Sequence, residues 1–180
     1  MPATGRLIVA SPALDDPNFE RSVVLLLDHD EDGSLGVIVN RTSAVAVSDT
    51  LEGWVDLVVD PRVVFGGGPV EPTALVAIGE SREAPDGWIP IVDGVRLVSL
   101  DAEPGQLAVD VSRMRIFAGY AGWGPGQLEA EISAGAWFVV DAEPGDVFHP
   151  DPDQLWRHVL RRQPGRLRML ATYPDDPSTN

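Results

Sequence analysis

The residue types with most chemical potential fall in three short stretches. The first, Asp28-His29-Asp30-Glu31-Asp32-Gly33, alternates carboxylates and closes on glycine, like the first half of an EF-hand calcium loop. That loop requires a bidentate glutamate at its twelfth position, where this chain carries Val39, and helices on both sides, where this chain reads as strands. The stretch therefore reads as a solvated hairpin turn with Gly33 at positive φ. His29 is a candidate ligand or general base, because imidazole titrates near neutrality. It reads equally as a hydrogen-bonded residue at a strand end, since no partner is fixed by spacing. His149 and His158 form no zinc pattern.

The second stretch is Gly66-Gly67-Gly68-Pro69. Its backbone N–H groups are candidates for an anion nest, although a tight turn explains the same residues. The chain lacks the phosphate-loop spacing and its lysine, and no dinucleotide glycine fingerprint follows a strand. The third stretch, Phe117–Glu131, interleaves Gly119, Gly122, Gly124 and Gly126 with Tyr120, Trp123 and Pro125, then supplies Gln127, Glu129 and Glu131. Those polar residues sit in the first turns of a helix, where carboxylates match the positive end of the dipole. If the two glycine turns are neighbours in space, Tyr120, Trp123 and Gln127 converge beside Gly66–Gly68 on one pocket. An enzymatic alternative pairs His29 with Glu129 or Glu131, with or without a metal. Serine hydrolysis has little support: there is no nucleophile elbow, Gly33-Ser34-Leu35-Gly36 is out of register for one, and Ser11 and Ser22 precede strands.

These residues need a scaffold, and the hydrophobic pattern supplies one. Leu7–Ala10 reads as a first strand, Ser22–Asp28 as a continuous apolar strand covered on both faces, and Leu35–Asn40 as its hairpin partner. Phe19 anchors the turn cluster Asp15–Asn18 to the core. Ser48 caps a short helix through Trp54. Arg62–Phe65 is a strand, and Ala74–Ile78 pairs with Val95–Leu100 across the turn region 84–94. Leu107–Val111 fits either strand or helix. Arg115–Ala121 is a buried strand that breaks at Gly122 and resumes as a helix ending at Gly135, and Ala136–Val140 is a further strand. Asp151 and Pro152 open a helix to Arg162 that buries Leu155, Trp156, Val159 and Leu160 on one stripe. Arg166–Thr172 forms one or two more turns, and Tyr173–Asn180 is a frayed polar tail. Hairpins mixed with helices argue an α+β fold.

Several segments resemble the YqgE/AlgH family of small bacterial proteins: Tyr120–Glu131, Ser11–Val24, the run from His29 and Gly33 through Leu35–Asn40, and Phe65–Val70. They occur in the family's order and span nearly the whole chain. The resemblance implies a single α+β domain over residues 1–174, with a mostly antiparallel, curved or barrel-like sheet and flanking helices, followed by a polar tail at 175–180. It carries no catalytic residues; some members bear a transcriptional-regulator label.

Composition narrows the function further. The chain of 180 residues has no cysteine and no lysine, which removes disulfides, thiolate chemistry and Schiff bases. A net charge of -15 repels phosphates and disfavours nucleic acid and anionic membranes as partners. One basic island, Arg157, Arg161, Arg162, Arg166 and Arg168, runs against that field; it reads as a solvated helix face, or as a contact for an acidic partner or nucleic acid. No stretch has the length of a membrane span, and the apolar run Leu7–Ala10 is too short for a signal peptide, so the expected location is the cytoplasm. The expectation is a non-enzymatic binding or regulatory protein with an unknown protein or small-molecule partner, no cofactor and no metal. Its candidate ligand-binding residues are Gly66, Gly67, Gly68, Tyr120, Trp123, Gln127, Glu129 and His29.

Overall fold

One strand organises the molecule. In the computed structural model, which describes residues 1–83, 86–101, 103–107 and 111–175, strand Arg113–Trp123 pairs with three others. Numbered in chain order, the strands are β1 Arg6–Ala10, β2 Val23–Asp30, β3 Gly33–Ile38, β4 Thr42–Ala46, β5 Val63–Gly66, β6 Val70–Glu80, β7 Ile89–Val92, β8 Val95–Val98, β9 Arg113–Trp123 and β10 Trp137–Asp141. The main path runs β10-β1-β2-β3-β9-β6-β8-β7, with β4 on β5 beside it. All pairings are antiparallel except β5 with β9. The result is a single α+β domain built on a curled, mostly antiparallel sheet.

Among the described residues six short helices flank the sheet: α1 Val47–Thr50, α2 Pro104–Leu107, α3 Gln127–Ser133, α4 Pro144–Val147, α5 Pro152–Arg161 and α6 Arg166–Leu170. Strand β2 is covered on both faces as its unbroken apolar run demands: Val23, Leu25 and Leu27 enter one core cluster while Val24 and Leu26 enter another. Helix α5 buries the expected Leu155, Trp156, Val159 and Leu160 stripe, and the Trp156 indole donates to the Ala10 carbonyl at 2.8 Å. Pairing of Ala77 with Val98 confirms the β6–β8 match, but β7 intervenes in sequence and extends the sheet beyond β8.

Four local readings change. Strand β9 does not stop at Gly122; it continues to Trp123, because Gly122 pairs with Leu35 of β3 and the ladder supports the chain there. The break comes at Gly124–Gly126, with Gly126 at φ +70 before α3. Ser48 lies inside α1 rather than capping it; Ala46 holds the cap position, and a separate 3-10 segment covers Glu52–Leu57. The start of the tail is tied down rather than frayed: Arg157 donates to the Ala171 and Tyr173 carbonyls at 2.7 and 2.9 Å and pairs with Asp175 at 2.6 Å. Most of the expected tail, residues 176–180, and most of Leu107–Val111 lie outside the described residues.

The triple glycine has a packing explanation. A Cβ on Gly67 would run into the Gly119 carbonyl, and one on Gly68, at φ +153, into the Tyr120 carbonyl. Only glycine lets this turn lie against the middle of β9.

Candidate functional site

The β2–β3 hairpin places His29 directly opposite Ser34, so their side chains share one face of the sheet. The register shifts between Leu26 and Asp28, a bulge that turns Asp28 to solvent and leaves His29 half-buried. The Ser34 hydroxyl lies 2.7 Å from His29 Nδ1. On the far side, His29 Nε2 lies 3.3 Å from Glu129 Oε1. A ring protonated on Nε2 satisfies both contacts: Ser34 donates to Nδ1, and Nε2–H donates to the carboxylate. Glu129 arrives there because α3 begins immediately beyond β9, whose end pairs with Ser34 through Trp123. Gly33, at φ +142, lets the hairpin tip seat on that end, since a Cβ would collide with the Trp123 carbonyl.

The other polar residues of α3 are engaged differently. Glu131 Oε2 accepts from the Trp123 indole at 3.0 Å and the Trp137 indole at 2.8 Å, while its Oε1 accepts from the Gln127 amide at 2.9 Å. Gln127 Oε1 in turn accepts from the Gly124 N–H at 3.1 Å. Trp123 is buried among Phe19 and Trp137, with ring centroids 5.9 Å away in each case. Phe19 thereby anchors its loop, as read from the sequence. The enzymatic alternative narrows accordingly: Glu129 meets His29, whereas Glu131 joins two indoles.

Beside the His29 chain lies an open groove of about 260 Å³ lined by Asp28, Asp30, Asp32, Gly33, Ser34, Leu35 and Trp123. Asp30 Oδ1 accepts from the Asp32 N–H at 2.8 Å, which rigidifies the tip. Among the described residues, no three His, Cys, Asp or Glu side chains converge as a metal cage.

The expected convergence of both glycine turns on one pocket is only partial. Gly66 and Gly68 line a separate groove of about 140 Å³ with Asn18, Ile38, Arg41 and Pro69. The N–H of Gly66 donates to Arg41 O and that of Gly67 to Ala118 O, both at 2.8 Å, so neither is available to an anion. Arg41 points its guanidinium at the Asn18 and Glu20 carbonyls. Tyr120 packs half-buried against the main core. The structure thus joins His29 to Glu129, sets Trp123 on the neighbouring groove with Ser34, and leaves Tyr120 and Gly66–Gly68 elsewhere. Sequence reasoning missed Ser34. Its signal was present: a two-residue turn at Glu31-Asp32 pairs Asp30 with Gly33 and hence His29 with Ser34.

Two arginines are shaped by burial. Arg115 is fully buried without a carboxylate. It donates to Val147 O and Asp60 O at 2.8 Å and to His149 O at 3.2 Å, and stacks on Phe65. Burial, reinforced by the nearby Arg113 charge, lowers its pKa to about 10. Burial also works against the Arg162 charge, but its forked contacts with Asp146 at 2.5 and 2.6 Å outweigh that and raise its pKa.

These features define an α+β protein built on a curled sheet, with a polar groove where a hairpin tip meets the end of β9. This chain belongs to the AlgH-like family, whose model matches residues 7–168. A UPF0301 protein of Streptomyces coelicolor is 61% identical to it, over 98% of this chain and 95% of its own length. A UPF0301 protein of Thermobifida fusca is 46% identical, over 98% and 95% respectively. Among solved structures, a Corynebacterium diphtheriae protein superposes with a TM-score of 0.91 at 36% identity, covering 96% of this chain and 93% of that one. The solution structure of the AlgH protein from Pseudomonas aeruginosa gives 0.71 at 26% identity, covering 98% and 97%. Among the described residues no helix is long and apolar enough to cross a membrane.

Proposed function

We propose that this chain is a non-enzymatic binding protein of the cytoplasm, regulatory in role, whose site is the groove between the hairpin tip and the end of β9. The ligand class is cationic: an amine, or a lysine or arginine side chain of a partner. The observation that carries this reading is the row of carboxylates Asp28, Asp30 and Asp32 lining one open groove with Ser34, whose hydroxyl is held from behind by the His29–Glu129 pair. The aromatic scaffold beneath holds the groove's shape in advance of binding.

The test is titration with spermidine and with a short arginine-rich peptide, read by calorimetry. Exposed charges about 4 Å apart contribute roughly 1 kcal/mol in water, so each of Asp30→Asn and Asp32→Asn should weaken binding about fivefold. Equal affinity for the native protein and the double variant would remove this reading. A second reading, acid–base chemistry through His29, is favoured by the 2.7 and 3.3 Å contacts that join Ser34, His29 and Glu129. It requires turnover of an activated ester that disappears in both His29→Ala and Ser34→Ala. Against it, Ser34 lies within the β2–β3–β9 sheet, not on a strand-to-helix elbow.

A further inference from the structure

Two of the three histidines take no part in the hairpin groove. His149 lies just past α4 and is half-buried; His158 is exposed in the last turn of α5. Their ring centroids are 4.9 Å apart, with the planes tilted by 52°. A histidine near the C-terminus of a helix suits the helix dipole, but that accounts for one ring and not for the second against it. Nor do carboxylates hold them there: among the described residues the histidine that forms an ion pair is His29, with Glu129.

Both rings are positioned by the fold. His149 Nδ1 lies 2.7 Å from the Asp151 carbonyl oxygen and 3.1 Å from the Asp151 backbone nitrogen. The shorter contact decides the tautomer. Two lone pairs at that distance repel, so Nδ1 carries the proton and donates to the carbonyl, and Nε2 keeps its lone pair. Metal-binding histidines are oriented in this way, one nitrogen on a backbone carbonyl and the other on the cation. The arm that carries the ring reads His149-Pro150-Asp151-Pro152, and each proline fixes its own φ and restricts the residue before it. His158 stands on a helix anchored by buried Leu155, Trp156, Val159 and Leu160. Histidine-ring hydrogen bonds among the described residues belong to His29 and His149, which leaves both His158 nitrogens free.

We propose that His149 and His158 together bind a divalent cation of the copper, nickel and zinc class, copper(II) most tightly, with water filling its other positions. The separation fits. A cation about 2.0–2.1 Å from one nitrogen of each ring, with a bond angle between about 90° and 109°, sets the centroids about 4.5–5.2 Å apart. The observed 4.9 Å falls inside that interval. Imidazole ligands select these cations over calcium and magnesium, and the Irving–Williams order puts copper(II) first among them. Among the described residues no third His, Asp or Glu closes the site, which makes it a two-ligand site and not a cage. The chain holds no cysteine to compete for the cation, and its net charge of -15 draws cations to the surface. This site is independent of the hairpin groove and stands or falls separately.

The probe is copper(II), titrated into tag-free, metal-stripped full-length chain in a non-coordinating buffer above the usual imidazole pKa. Calorimetry should give one copper per chain at the tightest site, and electron paramagnetic resonance should show coupling to two imidazole nitrogens. In NMR spectra the His149 and His158 ring protons should broaden before those of His29. His149→Ala and His158→Ala should each weaken the affinity at least about tenfold, and His29→Ala should leave it unchanged. Zinc should compete for the same site more weakly, and magnesium should not compete. Circular dichroism melts confirm that the variants fold, and the spectra of the native chain test the ligands without any substitution. A double variant lacking both histidines that binds copper as the native chain does overturns the proposal. So does coupling to a single imidazole nitrogen, or broadening that begins at His29.

Discussion

Replacing Glu131 with alanine tests what the string of aromatic and acidic residues at the end of β9 and the start of α3 is for. Its carboxylate oxygen Oε2 is the acceptor for two indole N–H groups, from Trp123 and Trp137, which are 6% and 2% exposed. Truncation leaves both donors without a protein partner. A buried unsatisfied donor costs about 1–3 kcal/mol, so the pair should cost about 3 kcal/mol or more. Gln127 loses a partner as well but stands at the surface, where water replaces the bond. For a domain of this size that loss lowers Tm by roughly 6–12 °C. Glu131→Gln retains a carbonyl oxygen for the indoles and should lose only about 1 kcal/mol, the charge assistance of the bonds. The assay is thermal unfolding followed by circular dichroism, with the two indole N–H resonances monitored by NMR. If Glu131→Ala melts within about 2 °C of the native protein and both indole resonances hold their positions, the carboxylate does not hold the tryptophans and the structural account of this motif fails.

Three further outcomes follow from the geometry. Arg115→Met removes a desolvated cation but orphans the buried Val147 carbonyl and frees the part-buried carbonyls of Asp60 and His149, which water can reach; urea unfolding should show a loss of about 1–3 kcal/mol, chiefly from Val147. The Arg113 hydrogen bond lowers the Glu80 pKa, so that carboxylate contributes stability above its unfolded value, lost as pH falls through the folded one; Glu80→Gln should therefore flatten the acid side of a stability–pH profile below about pH 5. Asp146→Asn weakens a buried, forked pair and leaves Arg162 without a full counter-charge. Denaturant midpoints should show it about 3 kcal/mol less stable, whereas the exposed-pair variant Asp56→Asn should fall within about 0.5 kcal/mol of the native protein.

Periodicity and composition decided a good deal of this protein without coordinates. The unbroken Val23–Leu27 run can be buried only on both faces, and the Leu155, Trp156, Val159, Leu160 spacing can form only one helical stripe; both are as observed. The turns at Gly33 and at Gly67–Gly68 also follow from residue types, because their backbone requires glycine. What the sequence left open was every relation between segments distant along the chain. Nothing local says that β9 borrows support from β3 and so passes through Gly122, or that Glu131 reaches two tryptophans while Glu129 reaches a histidine a hundred residues earlier. Strand β4 and helix α4 escaped notice for the same reason: one is held by pairing with β5, the other by a reciprocal cap between Glu143 and Asp146 that Arg162 completes from another helix. Local propensity acts over a few residues, whereas register, burial and the direction of a side chain are set by what arrives from elsewhere in the chain. The division of the expected pocket into two grooves was therefore a decision that tertiary packing alone could make.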